Sequence, residues 1–317
     1  MTIKAYDLAI IGAGPVGLFT AGYAALNGLN TVLFDSLAEV GGQPEFLYPF
    51  KEIVNIPVYQ QIIAANLIKR LHTSIPSTVS LELNHPVKQV TKVDSHFLID
   101  QTCQARSIII ATGAGSFRPK QFPLPMSAEM AARVHYYVRD ITPFANQTIG
   151  IFGGGDSALD WAKGLSQVSK VKLIHRREHF RGLESTLATL QSQENVEILT
   201  PYLPHSITWQ NKQLRIGLRR LGDQTIVYRD FDQIIVAYGF RANNRLVGSW
   251  GVDSNATNVF VERTMATNVK GIYAVGDVTT YPGRVPLIGV GFGEAQTAIH
   301  AIMRQLFPDK NPNLQSL

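Results

Sequence analysis

The chain has 317 residues, 45% hydrophobic and 17% charged, which is the composition of an ordinary soluble globular protein with room for about two domains. Its single cysteine, Cys103, excludes an intrachain disulfide, a redox-active dithiol and a cysteine-cluster metal site, and it fits a reducing cytoplasm. The net charge of +5 is concentrated in residues 116–245, where 17 Lys+Arg and 11 Asp+Glu give a net +6; this suits an acidic protein or a phosphorylated ligand, and no basic run interleaved with aromatic residues indicates nucleic acid.

Residues 7–35, DLAIIGAGPVGLFTAGYAALNGLNTVLFD, predict a strand, a glycine turn, a helix and a second strand that ends in an acid. In a G-x-G-x-x-G turn the first glycine makes the bend, the second admits a pyrophosphate and the third lets helix pack on strand. Asp35, at the tip of the second strand, can accept hydrogen bonds from a ribose with a free 2′ position, as in FAD or NAD. The candidates in the turn itself are Gly12, Gly14, Pro15 and Gly17.

The same stretch raises a membrane alternative, because residues 8–34 contain no charge and are long enough to cross a bilayer. Five glycines, a proline and two asparagines interrupt the apolar residues, and this is not the pattern of a spanning helix or a signal peptide. We therefore expect no membrane association.

The segments between residues 38 and 125 predict a loop, a helix and several strands. In the loop at 38–49, the pair Gly41–Gly42 suits close approach to a ligand, but Gln43 and Tyr48 alone favour a surface loop with a packed tyrosine. Apolar spacing predicts a helix over 59–72, and alternation predicts a small β-meander over 79–100. A buried strand is predicted at 107–111, and the Pro-rich residues 115–125 indicate a connector between domains.

The opening pattern then repeats. A strand at 148–152, a glycine turn, a helix at 159–165 and a strand at 171–174 form a second predicted dinucleotide fold. Two such folds in one chain arise by chance far less readily than one. The candidates in this turn are Gly153, Gly155, Asp156, Ser157 and Ala158.

The second copy lacks the acid that ends the first. In the place of Asp35 it has the segment HRREHFR, with candidates His175, Arg176, Arg177 and Arg181. A carboxylate repels a 2′-phosphate, whereas guanidinium groups bind it through charge-assisted hydrogen bonds. The second site is therefore predicted to prefer NADP(H), and a solvated basic face is the alternative interpretation.

The remaining sequence predicts strands over 196–237 and a second connector at 238–245. It also predicts a later strand with Gly276 and Asp277 at its carboxyl end. Taken alone, Asp277 fits a helix N-cap or a turn equally well. Residues 291–293 are predicted to open a final helix over 294–307.

These features together resemble the low-molecular-weight thioredoxin reductase type of flavoprotein. The resemblance implies an α/β fold of two Rossmann-like dinucleotide-binding domains (three-layer ββα), the second inserted into the first. Residues 1–115 and 246–317 would bind FAD, and residues 116–245 would bind NADP(H). The redox C-x-x-C of thioredoxin reductases is missing, since residues 131–146 contain no cysteine.

The chain more closely resembles the thioredoxin-reductase-like ferredoxin/flavodoxin–NADP⁺ reductases. The shared motifs are GGQ-x4-YP from Gly41, VHY at Val134, GGGDSALDWA from Gly153, AYGF at Ala237 and LIGVGFGEA from Leu287. By matching positions, the resemblance implies that Asp35 holds the FAD ribose, Val87 the adenine and Asp277 the ribityl chain. The remaining implied FAD contacts are Gly42, Gln43, Tyr48 as the tyrosine stacked on one flavin face, Phe117 and Gly276.

This resemblance implies an FAD-dependent enzyme that exchanges electrons between NADPH and ferredoxin or flavodoxin as a cytoplasmic homodimer. No catalytic acid, base or nucleophile and no metal are expected. The alternatives are an NADPH-dependent reductase of small disulfides, quinones or oxygen, and a flavin-binding redox sensor with little turnover.

Two further expectations come from the same family. Its longer members lay a C-terminal ring over the second flavin face, but residues 309–317, DKNPNLQSL, contain no aromatic or histidine ring, so this face is expected to be open or covered by another group. In thioredoxin reductases the NADPH domain rotates on two connectors, which correspond here to residues 113–119 and 238–245.

Overall fold

The computed structural model describes residues 3–115, 118–241 and 244–310, and its internal contacts divide the chain into two compact units. The first unit comprises the described parts of Met1–Glu45, Glu52–Phe117 and Ala242–Leu317. The second comprises Phe46–Lys51 and Arg118–Arg241, so it lies in sequence between the two main parts of the first. Within the described ranges, no helix is long and apolar enough to span a membrane.

The described secondary structure alternates between strands and helices along the whole chain. The helices are α1 (Pro15–Leu26), α2 (Gly42–Leu47), α3 (Ala64–Thr73), α4 (Ala128–Ala131), α5 (Asp156–Leu165), α6 (Glu184–Gln191), α7 (Arg245–Gly248) and α8 (Ile288–Leu306), with 3₁₀ turns at Thr142–Phe144 and Gly276–Val278. The strands are β1 (Lys4–Ile11), β2 (Thr31–Phe34), β3 (Glu52–Ile53), β4 (Ile62–Ile63), β5 (Ser80–Glu82), β6 (Val90–Val93), β7 (His96–Ile99), β8 (Cys103–Ile110), β9 (Arg118–Pro119), β10 (Val134–His135), β11 (Thr148–Phe152), β12 (Lys170–Ile174), β13 (Val196–Leu199), β14 (Tyr202–Gln210), β15 (Gln213–Arg220), β16 (Ile226–Phe231), β17 (Gln233–Val236), β18 (Phe240–Arg241), β19 (Val259–Phe260), β20 (Ile272–Ala274) and β21 (Thr279–Thr280).

The first unit is built on a sheet with the strand order β5-β2-β1-β8-β7-β6, in which β20 also pairs with β8. Strands β5, β2, β1, β8 and β20 run parallel, while β7 is antiparallel to β8 and β6 is antiparallel to β7. The chain leaves β1 toward β2 on one side and returns to β8 on the other. Ligands of such sheets bind at the carboxyl ends of the strands where the order reverses, which here are those of β1 and β8.

The second unit contains an all-parallel sheet with the order β10-β17-β11-β12-β13 and a separate antiparallel sheet, β14-β15-β16. Helix α5 comes directly after the central strand β11, as α1 comes after β1, and it carries the buried residues Leu159, Ala162 and Leu165. In the same unit β9 pairs antiparallel with β18, so the described parts of the two predicted connectors are hydrogen-bonded to each other.

This architecture confirms the predicted fold class, but several element boundaries were wrong. Residues 59–63 are not helical, because Ile62 and Ile63 pair with β3 and α3 begins at Ala64. Strand β5 does not belong to the meander, since it extends the parallel sheet beside β2. The predicted loop at 38–49 contains the short helix α2, and the strands predicted over 196–237 are the five strands β13 to β17.

The final helix differs most from the prediction, since α8 starts at Ile288 and not at residue 294. Its first six residues, IGVGFG, include three glycines, which disfavour helix in isolation. The segment is helical because of its packing, which favours glycine at two of these positions. A Cβ on Gly291 would lie 2.5 Å from a Val16 methyl group, and a Cβ on Gly289 would lie 3.3 Å from Pro57. The glycines therefore allow the close approach of other segments.

Candidate functional site

The turn after β1 requires glycine at two positions for different reasons. Gly12 has φ +110°, and a Cβ there would lie 2.5 Å from the carbonyl oxygen of Ala111 at the end of β8. A Cβ on Gly17 would overlap the carbonyl oxygen of Gly12. The turn is thus packed tightly between α1 and the ends of the two central strands.

Gly14 differs from its neighbours, because a Cβ there would meet nothing within 4 Å. It is the N-cap of α1, it makes no side-chain cap hydrogen bond, and the first turn of the helix contains no acidic residue. Among the described residues, the N–H groups of Val16 and Gly17 have no hydrogen-bond acceptor, and they lie at the positive end of the helix dipole. This cradle fits a pyrophosphate, and Pro15 at the first helical position breaks no intrahelical hydrogen bond, because an N–H at that position would have no acceptor within the helix.

Asp35 holds this turn in place from the tip of β2. Its Oδ2 accepts a hydrogen bond from the N–H of Ala13 (2.6 Å) and its Oδ1 accepts one from the N–H of Leu37 (2.9 Å). Burial raises the pKa of the carboxyl group, and the hydrogen bonds from Leu37 and Ala13 oppose that rise. Each oxygen retains acceptor capacity for a ribose hydroxyl.

The loop after β2 returns to the turn. Gly41 donates its N–H to the carbonyl of Ala13 (2.8 Å), and a Cβ on Gly42 would lie 3.2 Å from Cα of Gly14. Gln43 is the next residue of α2 and is partly buried. The structure therefore brings Gly42 and Gln43 to the same glycine turn.

Tyr48 is placed differently, since residues 46–51 belong to the second unit. There Lys51 Nζ lies 3.1 Å from Asp160 Oδ2, and the Arg139 guanidinium lies 4.0 Å from the centre of the Phe46 ring. The structure does not group Tyr48 with the other FAD candidates in one unit. Phe117 lies outside the described residues.

A carboxylate organises the loop that contains Val87. Asp100 accepts hydrogen bonds from the N–H groups of Lys88 (3.0 Å) and Gln89 (2.7 Å), and it pairs with His85 Nε2 (3.1 Å). In the described part of the chain, neither the N–H nor the C=O of Val87 has a hydrogen-bond partner. Both groups remain for an adenine edge, and Asp100 is a residue that the sequence did not reveal.

The segment around Gly276 is fixed by a buried charge pair. Glu294, 4% exposed, accepts hydrogen bonds from the N–H of Gly276 (2.7 Å), the hydroxyl of Tyr281 (2.9 Å) and Nε of Arg284 (3.0 Å). Arg284 also donates from Nη2 to Oδ1 of the exposed Asp277 (3.1 Å). This cluster positions both predicted residues, and its signal in the sequence was the charge of Glu294 near the start of an apolar helix.

The second glycine turn repeats the geometry of the first. A Cβ on Gly153 would lie 2.5 Å from the carbonyl oxygen of Ala237 and 3.0 Å from Cβ of Ala158, whereas a Cβ on Gly155 would meet nothing within 4 Å. Gly155 is the N-cap of α5 and has no side-chain cap hydrogen bond. Asp156 faces solvent and accepts the N–H of Leu183 (3.0 Å), and Ser157 is partly buried in the first turn of α5.

The segment after β12 wraps over this turn. The His175 ring is 8% exposed and lies against Gly154, 5.0 Å from the Phe180 ring centre, and Arg181 donates its N–H to the carbonyl of Gly154 (2.7 Å). Burial lowers the pKa of His175, and the neighbouring arginines lower it further. The side chains of Arg176, Arg177 and Arg181 are exposed, and within the described ranges none forms an ion pair.

A further hydrogen-bonded group, centred on Asn244, was not predicted from the sequence because its members are far apart along the chain. Asn244, 2% exposed, donates to the carbonyls of Gly113 (3.0 Å) and Thr257 (2.7 Å), and accepts the hydroxyl of Thr112 (2.9 Å). It fixes the end of β8 beside the glycine turn.

Several known proteins share the sequence pattern and the fold of this chain. The chain is similar to a ferredoxin–NADP reductase of Lactobacillus helveticus, 54% identical over 97% of this chain and 99% of the relative, and to one of Lactobacillus acidophilus, 55% identical over 95% and 97%. Among solved structures, the thioredoxin reductase of Lactococcus lactis (FR conformation) is 27% identical with a TM-score of 0.79, over 94% of this chain and 98% of that one. The predicted family resemblance is confirmed. The family model described as pyridine nucleotide-disulphide oxidoreductase matches residues 6–303, and the chain belongs to this family.

Proposed function

We propose that this protein is an FAD-dependent oxidoreductase that exchanges electrons between NADPH and a ferredoxin or flavodoxin. The observation that carries this assignment is the difference between two otherwise similar glycine turns. One has a buried acid, Asp35, at the ribose position, and the other has three exposed arginines that no carboxylate neutralises in the described chain. The names of the Lactobacillus relatives support the same reaction.

The residues around the first turn fit FAD. The open N-terminus of α1 at Gly14 would bind the pyrophosphate, Asp35 the adenosine ribose and the backbone of Val87 the adenine. Asp277, held by Arg284, would bind the ribityl chain. We include Gly12, Pro15, Gly17, Gly42, Gln43, Tyr48, Phe117 and Gly276 in the same proposed site.

The second turn would hold NADP(H). The α5 N-terminus from Gly155 to Ala158 would bind the pyrophosphate, and Arg176, Arg177 and Arg181 would bind the 2′-phosphate. The buried ring of His175, whose pKa is lowered by burial, packs against Gly154 and supports the turn. Gly153, Asp156 and Ser157 complete this proposed set.

In the proposed reaction one NADPH would be oxidised to NADP⁺ and a proton while two carrier molecules would each be reduced by one electron. FAD, held by the residues around the first turn, would supply the hydride acceptance and the single-electron transfer that connect the two half-reactions. The protein's part is to bind and orient both nucleotides, and no side chain need donate a proton or attack the substrate. Thiol chemistry has no support here, because burial raises the pKa of Cys103, the single cysteine, to about 11.

Two finer features belong to the same proposal. We place the enzyme in the cytoplasm, where a free thiol such as that of Cys103 stays reduced. We also propose a homodimer, as the family resemblance implies.

The first test is anaerobic mixing of the purified holoenzyme with NADPH or NADH. Loss of the oxidised flavin absorbance within seconds with NADPH, and far more slowly with NADH, is the expected result. If neither nucleotide bleaches the flavin, the protein is a flavin-binding sensor with little turnover.

A further inference from the structure

Residues 52–63 form a β-hairpin beside α3. Strands β3 and β4 pair Glu52 with Ile63 and Ile53 with Ile62, so Ile53 and Ile62 face the core while Glu52 and Ile63 face outward. An open groove of about 870 Å³ runs between the hairpin and α3. Its lining residues are Glu52, Tyr59, Gln61, Ile62, Ile63, Asn66, Lys69, Arg70, Thr73 and Ser74.

The tip of this hairpin exposes apolar side chains. Val58 is 100% exposed and has φ +77°, a conformation that β-branched residues rarely adopt, and Val54 is 69% exposed. Tyr59 and Ile63 are also exposed, and both line the groove. Strained, exposed apolar residues that gather at one loop mark a surface that another molecule covers.

Two of the three charged side chains that line the groove are positive. Lys69 and Arg70 are exposed, and no carboxylate of the described residues lies within ion-pair distance of either one. The Arg70 guanidinium lies 5.8 Å from the centre of the Tyr59 ring, and tyrosine and arginine are among the residues most enriched at binding hot spots. Glu52 supplies one negative charge to the lining.

The hairpin borders the proposed flavin site. Pro57 and the carbonyl oxygen of Asn55 lie 3.3 and 3.7 Å from the position of a Cβ on Gly289, in the first turn of α8. Two residues later, Gly291 packs against Val16 of α1 and Cα of Gly276. A protein seated on the hairpin would therefore stand next to the segments that are proposed to hold FAD.

We propose that the hairpin tip and the groove are the docking surface for the acidic electron-carrier protein. The exposed valines supply a small apolar contact and Lys69 and Arg70 supply complementary charge, a combination that suits the small, transient interfaces of redox partners. This inference rests on the proposed function, because it assigns the carrier's place on that enzyme.

The test compares the wild-type holoenzyme with two variants, Lys69→Glu/Arg70→Glu and Val58→Ser. NADPH-driven reduction of an acidic ferredoxin is measured against reduction of a small neutral quinone. We expect kcat/KM for ferredoxin to fall about tenfold or more in the charge-reversal variant, with a smaller fall in Val58→Ser and with quinone reduction unchanged. The dependence of the ferredoxin reaction on salt should also weaken in the charge-reversal variant.

Lys4→Glu/Lys270→Glu is the matched control, since both lysines are exposed and precede or begin parallel strands at the opposite, amino-terminal edge of the sheet. Unchanged ferredoxin kinetics in the groove variants would overturn the docking surface while the proposed function stands. A wild-type enzyme that reduces quinone but no carrier would refute the proposed function itself. If the groove variants change the molecular mass in solution together with activity, the surface joins two copies of this chain, and the docking proposal is wrong.

Discussion

At the scale of single residues, the two glycine turns differ in the side chains at the end of the second strand. Asp35 is buried and bound to the backbone of its own turn, whereas Arg176, Arg177 and Arg181 project into solvent without carboxylate partners among the described residues. Both copies share the packing that glycine permits, so we propose that the choice between nucleotides depends on a few charged side chains.

The double variant Arg176→Ala/Arg177→Ala tests this choice. Because it removes two of the proposed partners of the 2′-phosphate, we expect the KM for NADPH to rise well above tenfold and the KM for NADH to change little, with quinone as acceptor. Lys163→Ala/Lys170→Ala, which removes two exposed charges outside the turn, is the control. An equal rise in the KM for NADPH and for NADH would show that the arginines do not bind the 2′-phosphate.

His175 gives a prediction about pH. Its pKa is lowered in the folded protein, so below about pH 6.5 the unfolded chain binds a proton that the folded chain does not, and stability falls as the pH falls. In His175→Phe, which keeps a ring beneath Gly154, the free energy of unfolding should fall less between about pH 7.5 and about pH 5.5. His135, whose pKa is lowered in the same direction, is present in both proteins and cancels in the comparison. Identical pH slopes in urea denaturation would contradict the assignment.

At the scale of elements, α8 connects the end of the chain to the first glycine turn. Glu294 in this helix joins Gly276, Tyr281 and Arg284, and Arg284 reaches Asp277. The helix starts six residues earlier than its glycines predict, because those glycines allow contact with Val16 and Pro57. Helix propensity therefore predicted this helix but placed its N-terminus six residues too late in the chain.

Glu294→Gln should show what this connection contributes. Loss of the carboxylate leaves the guanidinium of Arg284, whose side chain is 8% exposed, without its buried partner, and we expect a loss of about 3 kcal/mol in stability together with weaker retention of FAD. Gln296→Ala, at an exposed position of the same helix, is the control for urea unfolding and for flavin content after gel filtration. A variant as stable as the control would mean that the pair does not hold the segment.

The sequence predicted the strands, turns and arginines that obey a local pattern, and it missed residues that act across long separations. Asp100 organises the Val87 loop, and Asn244 connects residues 113 and 257. Neither has a local signature, since a carboxylate or an amide acquires its role from backbone groups that folding brings to it. The hairpin at 52–63 was missed for a related reason, as its short strands are defined by pairing with each other.

At the scale of the whole molecule, charge is distributed unequally along the chain, with a net +6 over residues 116–245 and −1 over the rest. Such a field accelerates encounter with an acidic carrier at low ionic strength. Between about 0.02 M and about 0.5 M salt, kcat/KM for ferredoxin should fall about tenfold or more, while that for a neutral quinone changes little. An unchanged ferredoxin rate would exclude electrostatic steering.

We propose that electrons from NADPH leave the enzyme directly for a one-electron carrier protein, without a protein dithiol. The most direct measurement is kcat/KM with NADPH and purified acceptors: ferredoxin, flavodoxin and a small disulfide. We expect kcat/KM for ferredoxin or flavodoxin to exceed that for the disulfide by about a hundredfold or more. A preference for the disulfide would contradict it and would make the protein a disulfide reductase.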